Sequence, residues 1–436
     1  MKHKIEEIRG KNFVKVGTAE EFFKCSTGAE DMQARENLKR IIEPWLSAAL
    51  QTDHLAMLIG AGFTAAVCQI ASVNSSSMGT ANFGKFDEKI NAYAEKAATR
   101  LGRGKYNIED QLRTAISLLQ GYEIDGEEDN SKDLRECIDN VLSEFSESIL
   151  SSECNLFRTV KSDNNQAAFK AIAMLKSFLL TFASRNATRE RTHIFTTNYD
   201  RMIEYGCDLA GIKILDRFWG KIIPKFEESP SGIDYYYRTL DAKNEFRFAE
   251  GVVRYTKIHG SVDWYEEGGV VYRDALRFGA EKVQLPTGDS YKDHLMIYPN
   301  SMKSVETAFY PYAELFRDFS SAICRPNSTL VTYGYGFGDT HINKIIKEML
   351  HTPSTHIVII AYSVDARLEA FLKQINMAQV TLLAGEEFAS LENLVNYYLP
   401  KAAIDTLTET ASKLVEARRG YVESGKGGEN NNDAEL

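Results

Sequence analysis

The sequence predicts an α/β fold: a doubly wound parallel sheet carrying a helical insertion and a small loop-rich subdomain. Three observations lead there. Short apolar runs end at glycine or at a polar turn, stretches of three-and-four apolar spacing follow them, and the two alternate regularly late in the chain. At 436 residues the chain has room for two or three domains of roughly 100–200 residues each. Hydrophobic residues make up 44% and charged residues 26%, the balance of a folded globular protein rather than a disordered one.

In chain order, residues 1–53 read as a helical lead-in, because Leu38, Ile41, Ile42, Trp45, Leu46 and Leu50 share one helix face. The run His54 to Ile59 is apolar, short and stopped by glycine, as a buried parallel strand should be. From about residue 85 to 190 the spacing is helical, broken by polar stretches such as 125–131, which predicts the insertion. A second apolar strand, 192–196, ends at Thr197-Asn198-Tyr199-Asp200 and yields to a helix with Met202, Ile203 and Tyr205. Residues 211–310 mix short β-like pieces with turns at Gly268-Gly269 and at 286–289, the expected loop-rich subdomain; within it, 252–258 form a strand that stops at His259-Gly260-Ser261. Strand 329–333, helix 339–350, strand 356–361, helix 364–375 and strand 379–383 then complete a βαβαβ series. Residues 385–419 read as C-terminal helices, and 420–436, rich in Gly and Asn, as a disordered tail.

The bulk properties narrow the function classes. A net charge of -10 and a pI near 5.5 leave no overall basic field for a phosphate backbone, so no direct nucleic-acid ligand is expected. Residues 1–7 lack the apolar centre of a signal peptide, and no run of about 18 apolar residues stands out, so the expectation is a cytoplasmic protein without a membrane span. Six scattered cysteines with no C-x-x-C pair predict no metal and reduced, mostly buried thiols.

Chemistry concentrates at the strand ends. Gly60-Ala61-Gly62-Phe63-Thr64-Ala65 fits G-x-G-x-x-G/A between strand and helix, the Rossmann-like setting in which backbone N–H groups meet a pyrophosphate at a helix N-terminus; glycine turns also occur there for steric reasons alone. A dehydrogenase would carry a ribose-binding acid roughly 20 residues further on, at the end of a second strand. Residues 73–79 are instead loop-like, so hydride transfer is not supported. Beside Thr197, Asn198 and Asp200 offer an amide and a carboxylate at the ligand-binding edge of the sheet, and Asn198 or Asp200 equally suits helix capping. His259 alone among eight histidines is followed by Gly-Ser at a strand end, where a neutral imidazole can take a proton, although lone histidines are commonly structural. Gly334-Tyr335-Gly336-Phe337-Gly338-Asp339 forms another strand–glycine–helix turn, with Asp339 suited to cap the helix.

Taken in order, Gly-Ala-Gly-Phe-Thr, Thr-Thr-Asn-Tyr-Asp, His-Gly-Ser and Gly-Tyr-Gly-Phe-Gly-Asp-Thr-His-Ile-Asn closely resemble the motif series of sirtuin-like domains in bacterial antiphage NAD hydrolases. The resemblance spans residues 54–384 and implies NAD as substrate. It places Gly60, Ala61, Gly62 and Thr64 on the phosphates, Asn198 and Asp200 at the nicotinamide ribose, and Gly334, Tyr335 and Phe337 on the adenosine side, with Phe63 and Thr197 as further cofactor contacts and Asn198 and His259 as the catalytic pair. It further implies a homo-oligomer and a HerA-type hexameric ATPase as partner. Deacylating sirtuins differ in carrying paired C-x-x-C motifs, Gln-Asn in the second motif and a Pro-Asp-Phe-Arg stretch, none of which occurs here. Plain NAD cleavage is therefore expected ahead of protein deacylation, ADP-ribosyl transfer or non-catalytic NAD sensing.

Overall fold

The computed structural model describes residues 5–23, 29–76, 79–100, 105–162, 165–186, 188–227, 234, 236–238, 246–283 and 310–401. Helix α1 (Ile5–Ile8) precedes strands β1 (Asn12–Val16) and β2 (Ala19–Phe23), and α2 (Ala29–Leu50) leads to β3 (His54–Ile59) and α3 (Ala61–Ile70). Helices α4 (Asp87–Arg100), α5 (Ile108–Asp125), α6 (Glu128–Lys161) and α7 (Gln166–Ala183) come before β4 (His193–Thr196) and α8 (Met202–Ala210). The short strands β5 (Lys213–Leu215), β6 (Phe218–Trp219), β7 (Lys225–Phe226), β8 (Tyr236–Arg238) and β9 (Phe246–Phe248) lead to β10 (Val252–Lys257), β11 (Trp264–Glu267) and β12 (Val270–Arg273). The remainder alternates: α9 (Tyr312–Ile323), β13 (Ser328–Tyr333), α10 (Thr340–Met349), β14 (His356–Ala361), α11 (Ala366–Leu372) and β15 (Val380–Ala384).

The main sheet has nine strands in the order β2-β1-β15-β14-β13-β3-β4-β10-β5. From β15 to β5 every neighbouring pair is parallel. The parallel part of the sheet starts in the middle at β3, builds outward through β4, and later returns to lay β13, β14 and β15 on the other side. The strand order therefore reverses between β3 and β13, the switch point where open α/β sheets leave a crevice. Register sharpens this: Tyr333 pairs with Ile59, Ile59 with Thr196, and Thr196 with Lys257, so four strands end level on one edge. Whatever follows each strand is delivered side by side.

Alternation along the strands buries both faces. Leu55, Met57 and Ile59 join a core under α2, α3, α7 and α8, while Ala56 and Leu58 join the opposite core under α9, α10 and α11. Helices α4, α5 and α6 build a further core of their own, which takes in Tyr199 and Val262 from the strand-end turns. That layer roofs the edge where the motifs emerge. A separate antiparallel sheet, β11-β12-β7-β6, lies within the loop-rich region.

The structure departs from the sequence pattern in four places. The lead-in is not purely helical: β1 and β2 form an antiparallel hairpin turning at Gly17 (φ +57°), and β1 pairs with β15 at the sheet edge. Edge pairing across more than 360 residues leaves no local periodicity to read. Helix α7 lies inside the expected insertion, yet packs on α3 and α8 and belongs to the sheet core. By length and composition α7 is also apolar enough to cross a membrane, contrary to the expectation from the sequence. Its buried face, including Leu175, Phe178 and Phe182, accounts for that character through core packing. Beyond β15 the expected helix breaks into short turns, because Ser390 adopts extended backbone (φ -58°, ψ 125°). The remaining stretch 402–419 and the tail lie outside the described residues, as do Cys25 and the turn at 286–289. Cys68, Cys154 and Cys207 are buried free thiols.

Candidate functional site

The turns after β3 and β13 interlock. Gly60 N–H donates to the Tyr333 carbonyl and Gly62 N–H to the Gly334 carbonyl, at 3.0 and 3.1 Å. A Cβ on Gly60 would stand 2.4 Å from the Gly334 oxygen, and one on Gly62 would stand 2.7 Å from the Gly334 Cα. Gly334 itself has φ +65°, and its Cβ would meet the Phe63 nitrogen at 2.6 Å. These glycines are thus required by backbone-to-backbone contact as well as by any ligand. Of the first N–H groups of α3, Gly62 and Phe63 are satisfied by carbonyls, and the Ala61 N–H has no partner among the described residues. It stands at the positive end of a ten-residue helix, facing the cavity, and suits a phosphate oxygen.

That cavity, of about 510 Å³, is lined by Gly60, Ala61 and Gly62 from the first turn, Thr197 to Asp200 from the second, His259 from the third, and Gly334, Tyr335, Gly336 and Asp339 from the fourth. Asn107, Glu109 and Phe145 close it from the helical layer, and Arg367 on α11 adds a cation beside Gly338. The four motifs therefore meet in one crevice.

Asn198 is held by its nitrogen. Nδ2 donates to the Gly60 carbonyl (3.2 Å) and to Thr64 Oγ1 (3.1 Å), which fixes the amide orientation since a carbonyl can only accept. Oδ1 is left buried with no partner among the described residues. A buried orphan acceptor is costly unless something donates to it, and on a cavity wall it is placed to accept from an O–H or N–H. Thr64 passes its own hydrogen to Asp200 Oδ2 (2.8 Å), and Asp200 Oδ1 accepts from Met202 N–H (3.0 Å). Asp200 is thus engaged in anchoring the turn and the start of α8.

His259 follows β10, with Gly260 at φ +86° turning the chain away behind it. Its Nε2 lies 3.0 Å from Asp339 Oδ2, while Asp339 Oδ1 accepts from the N–H groups of His341 (2.9 Å) and Ile342 (3.3 Å). One carboxylate therefore both caps α10 and fixes the imidazole. The cap was legible in the sequence; the histidine contact, across 80 residues, was not. Tyr199 was missed as well: it is buried beside His259, with ring centroids 6.4 Å apart, and its hydroxyl donates to Glu109 at 3.0 Å. Burial and that carboxylate hold the Tyr199 phenol well above its usual pKa.

Three expected contact residues do not reach the cavity. Phe63 is fully buried against Phe178 and Tyr333, because the first turn of α3 points it into the sheet core. Phe337 packs on Tyr335 and Phe371 in the opposite core, held at φ +51° by the turn. Thr64 lies behind Asn198 as a relay. Tyr335 lines the cavity, and its hydroxyl is tied to Asn343 Oδ1 at 3.0 Å.

Residues 192–379 match the family model described as a SIR2-like domain. The matched region runs from β4 to the threshold of β15 and contains Asn198, His259 and the Gly334 turn, whereas the Gly60 turn lies before it. No curated protein matches the chain. The SIR2-like match supports a sirtuin-like relationship and a function connected with NAD, the ligand that SIR2-like domains bind.

Proposed function

We propose that this chain cleaves the bond between nicotinamide and ribose in NAD, releasing nicotinamide and ADP-ribose. The observation that carries the reading is the meeting of the Asn198 amide and the His259 imidazole in one crevice floored by interlocked glycine turns. Cleavage of an N-glycosidic bond passes through a cationic, oxocarbenium-like sugar that water then captures. The buried Asn198 Oδ1 would accept from a ribose hydroxyl or from that water. Held through Nε2 by Asp339, the His259 imidazole would take the proton, and the carboxylate would stabilise the imidazolium formed. Oxygen from water ends on the ribose C1′, and the bonding pair leaves with nicotinamide. The Ala61 N–H and Arg367 provide partners for the diphosphate.

The ordered motif series supports a role in antiviral defence by NAD depletion, with assembly into a homo-oligomer and pairing with a HerA-type ATPase as its control. Incubating the purified chain with NAD and measuring nicotinamide by chromatography tests the activity. Asn198→Ala and His259→Ala should each lower turnover by roughly a hundredfold or more while circular dichroism stays unchanged. Full turnover in both variants would remove the mechanism.

A further inference from the structure

A larger cavity, about 750 Å³, lies between α8, β5 and β10 of the main sheet and the small β6–β7–β11–β12 sheet. It sits behind the strand-end turns, and its walls are rich in charge. The cations there are already committed. Lys257 Nζ donates to the carbonyls of Tyr199 and Asp200 and to Glu204 Oε1, Arg201 binds Glu153 and the carbonyls of Leu276 and Arg277, and Arg217 grips Asp318 through two bonds of 2.6 Å. Arg273 is paired with Asp216.

Acceptors are what remain. Asp263, 8% exposed, has a buried Oδ1 with no hydrogen-bond partner among the described residues, and Glu204 Oε2 is likewise buried, with the Tyr255 hydroxyl as its neighbour. That hydroxyl, on a residue 4% exposed, faces the Glu204 carboxylate, and burial with this neighbour holds the Tyr255 phenol well above its usual pKa. Burial, together with the like charge of Asp263, pushes the Glu204 carboxyl up despite the Lys257 ammonium. Leaving such oxygens unmet is costly, and a donor carrying positive charge would answer both the hydrogen bonds and the repulsion. Phe218, Phe226 and Trp264 stand in the same wall, and the first two rings already receive the Arg273 and Arg217 guanidiniums, so cations are compatible with this surface. Among the described residues no cluster of three or more His, Cys, Asp or Glu suits a metal ion.

We infer that this cavity binds a small organic cation, an amine or guanidinium, held by Asp263 and Glu204. The inference stands apart from NAD cleavage. Calorimetric titration of the full chain with 1,4-diaminobutane and with methylguanidinium, at low salt, tests it, with inorganic phosphate and glycerol as controls. Saturable binding of at least one cation is expected, weakened at least tenfold by Asp263→Asn and by Glu204→Gln. No saturable binding of either cation, undiminished binding in both variants, or tighter binding of phosphate or glycerol would overturn it. Should the variants fail to fold, hydrogen exchange on the unaltered chain decides: the cation should slow exchange in residues 201–214 and 252–264, and no slowing there refutes the site.

Discussion

Asp339 shows how much one side chain can be asked to do. Its two oxygens serve different masters, one the first turn of α10 and the other the His259 ring. Asp339→Asn keeps an oxygen for the cap but offers His259 an amide in place of a charge. Its melting temperature should stay close to that of the unaltered chain, and nicotinamide release should fall roughly a hundredfold or more. Asp339→Ala should lose the activity and also about 0.5–2 kcal/mol of stability with the cap. If calorimetry and turnover decline together in both variants, the division of labour is wrong. At this scale the sequence displayed Asn198 and His259, since each closes an apolar strand in a distinctive tripeptide. It could not separate Phe63 and Phe337 from true wall residues, because an aromatic beside a glycine turn faces ligand in one protein and core in another with the same local pattern.

The interlocked turns set the next scale. A methyl group on Gly334 must both occupy the left-handed region and displace the backbone of Phe63, so Gly334→Ala should cost on the order of 3 kcal/mol, measured by denaturant unfolding. Gly336 has open space around its Cβ position and no positive φ; Gly336→Ala should leave stability nearly unchanged and report only on what enters the cavity. Equal destabilisation by both substitutions would contradict the contact geometry. Elements with strong internal periodicity, β3, β13, α10 and β14, were legible to within a residue or so. The β1–β2 hairpin was not, since its strands are specified by pairing with β15 from the far end of the chain. Helix α7 was legible as a helix, but its allegiance to the sheet is a matter of packing partners rather than of spacing.

For the molecule as a whole, acid sensitivity follows from two histidines held among the strands. Burial lowers His193 to about 3 and His356 to about 4, each with Nε2 on a threonine hydroxyl at 2.8 Å. Both stay neutral in the folded chain while the unfolded chain takes up protons below its ordinary value near 6.5, so the unfolded state binds more protons and stability falls as pH drops from about 6.5 toward 4. Melting curves between pH 7.5 and 5 should show that decline, and His356→Gln should flatten it; a level profile would count against the assignment. The sheet order reversal, by contrast, could be anticipated only in outline, because alternation announces parallel strands without saying on which side each is laid. Lys257 then carries a practical lesson. Two residues before His259, it ties β10 to the carbonyls just after Asn198, while lining the other cavity. A screen that scores variants by lost turnover would flag it beside the reacting groups, though what it governs is the gap between them.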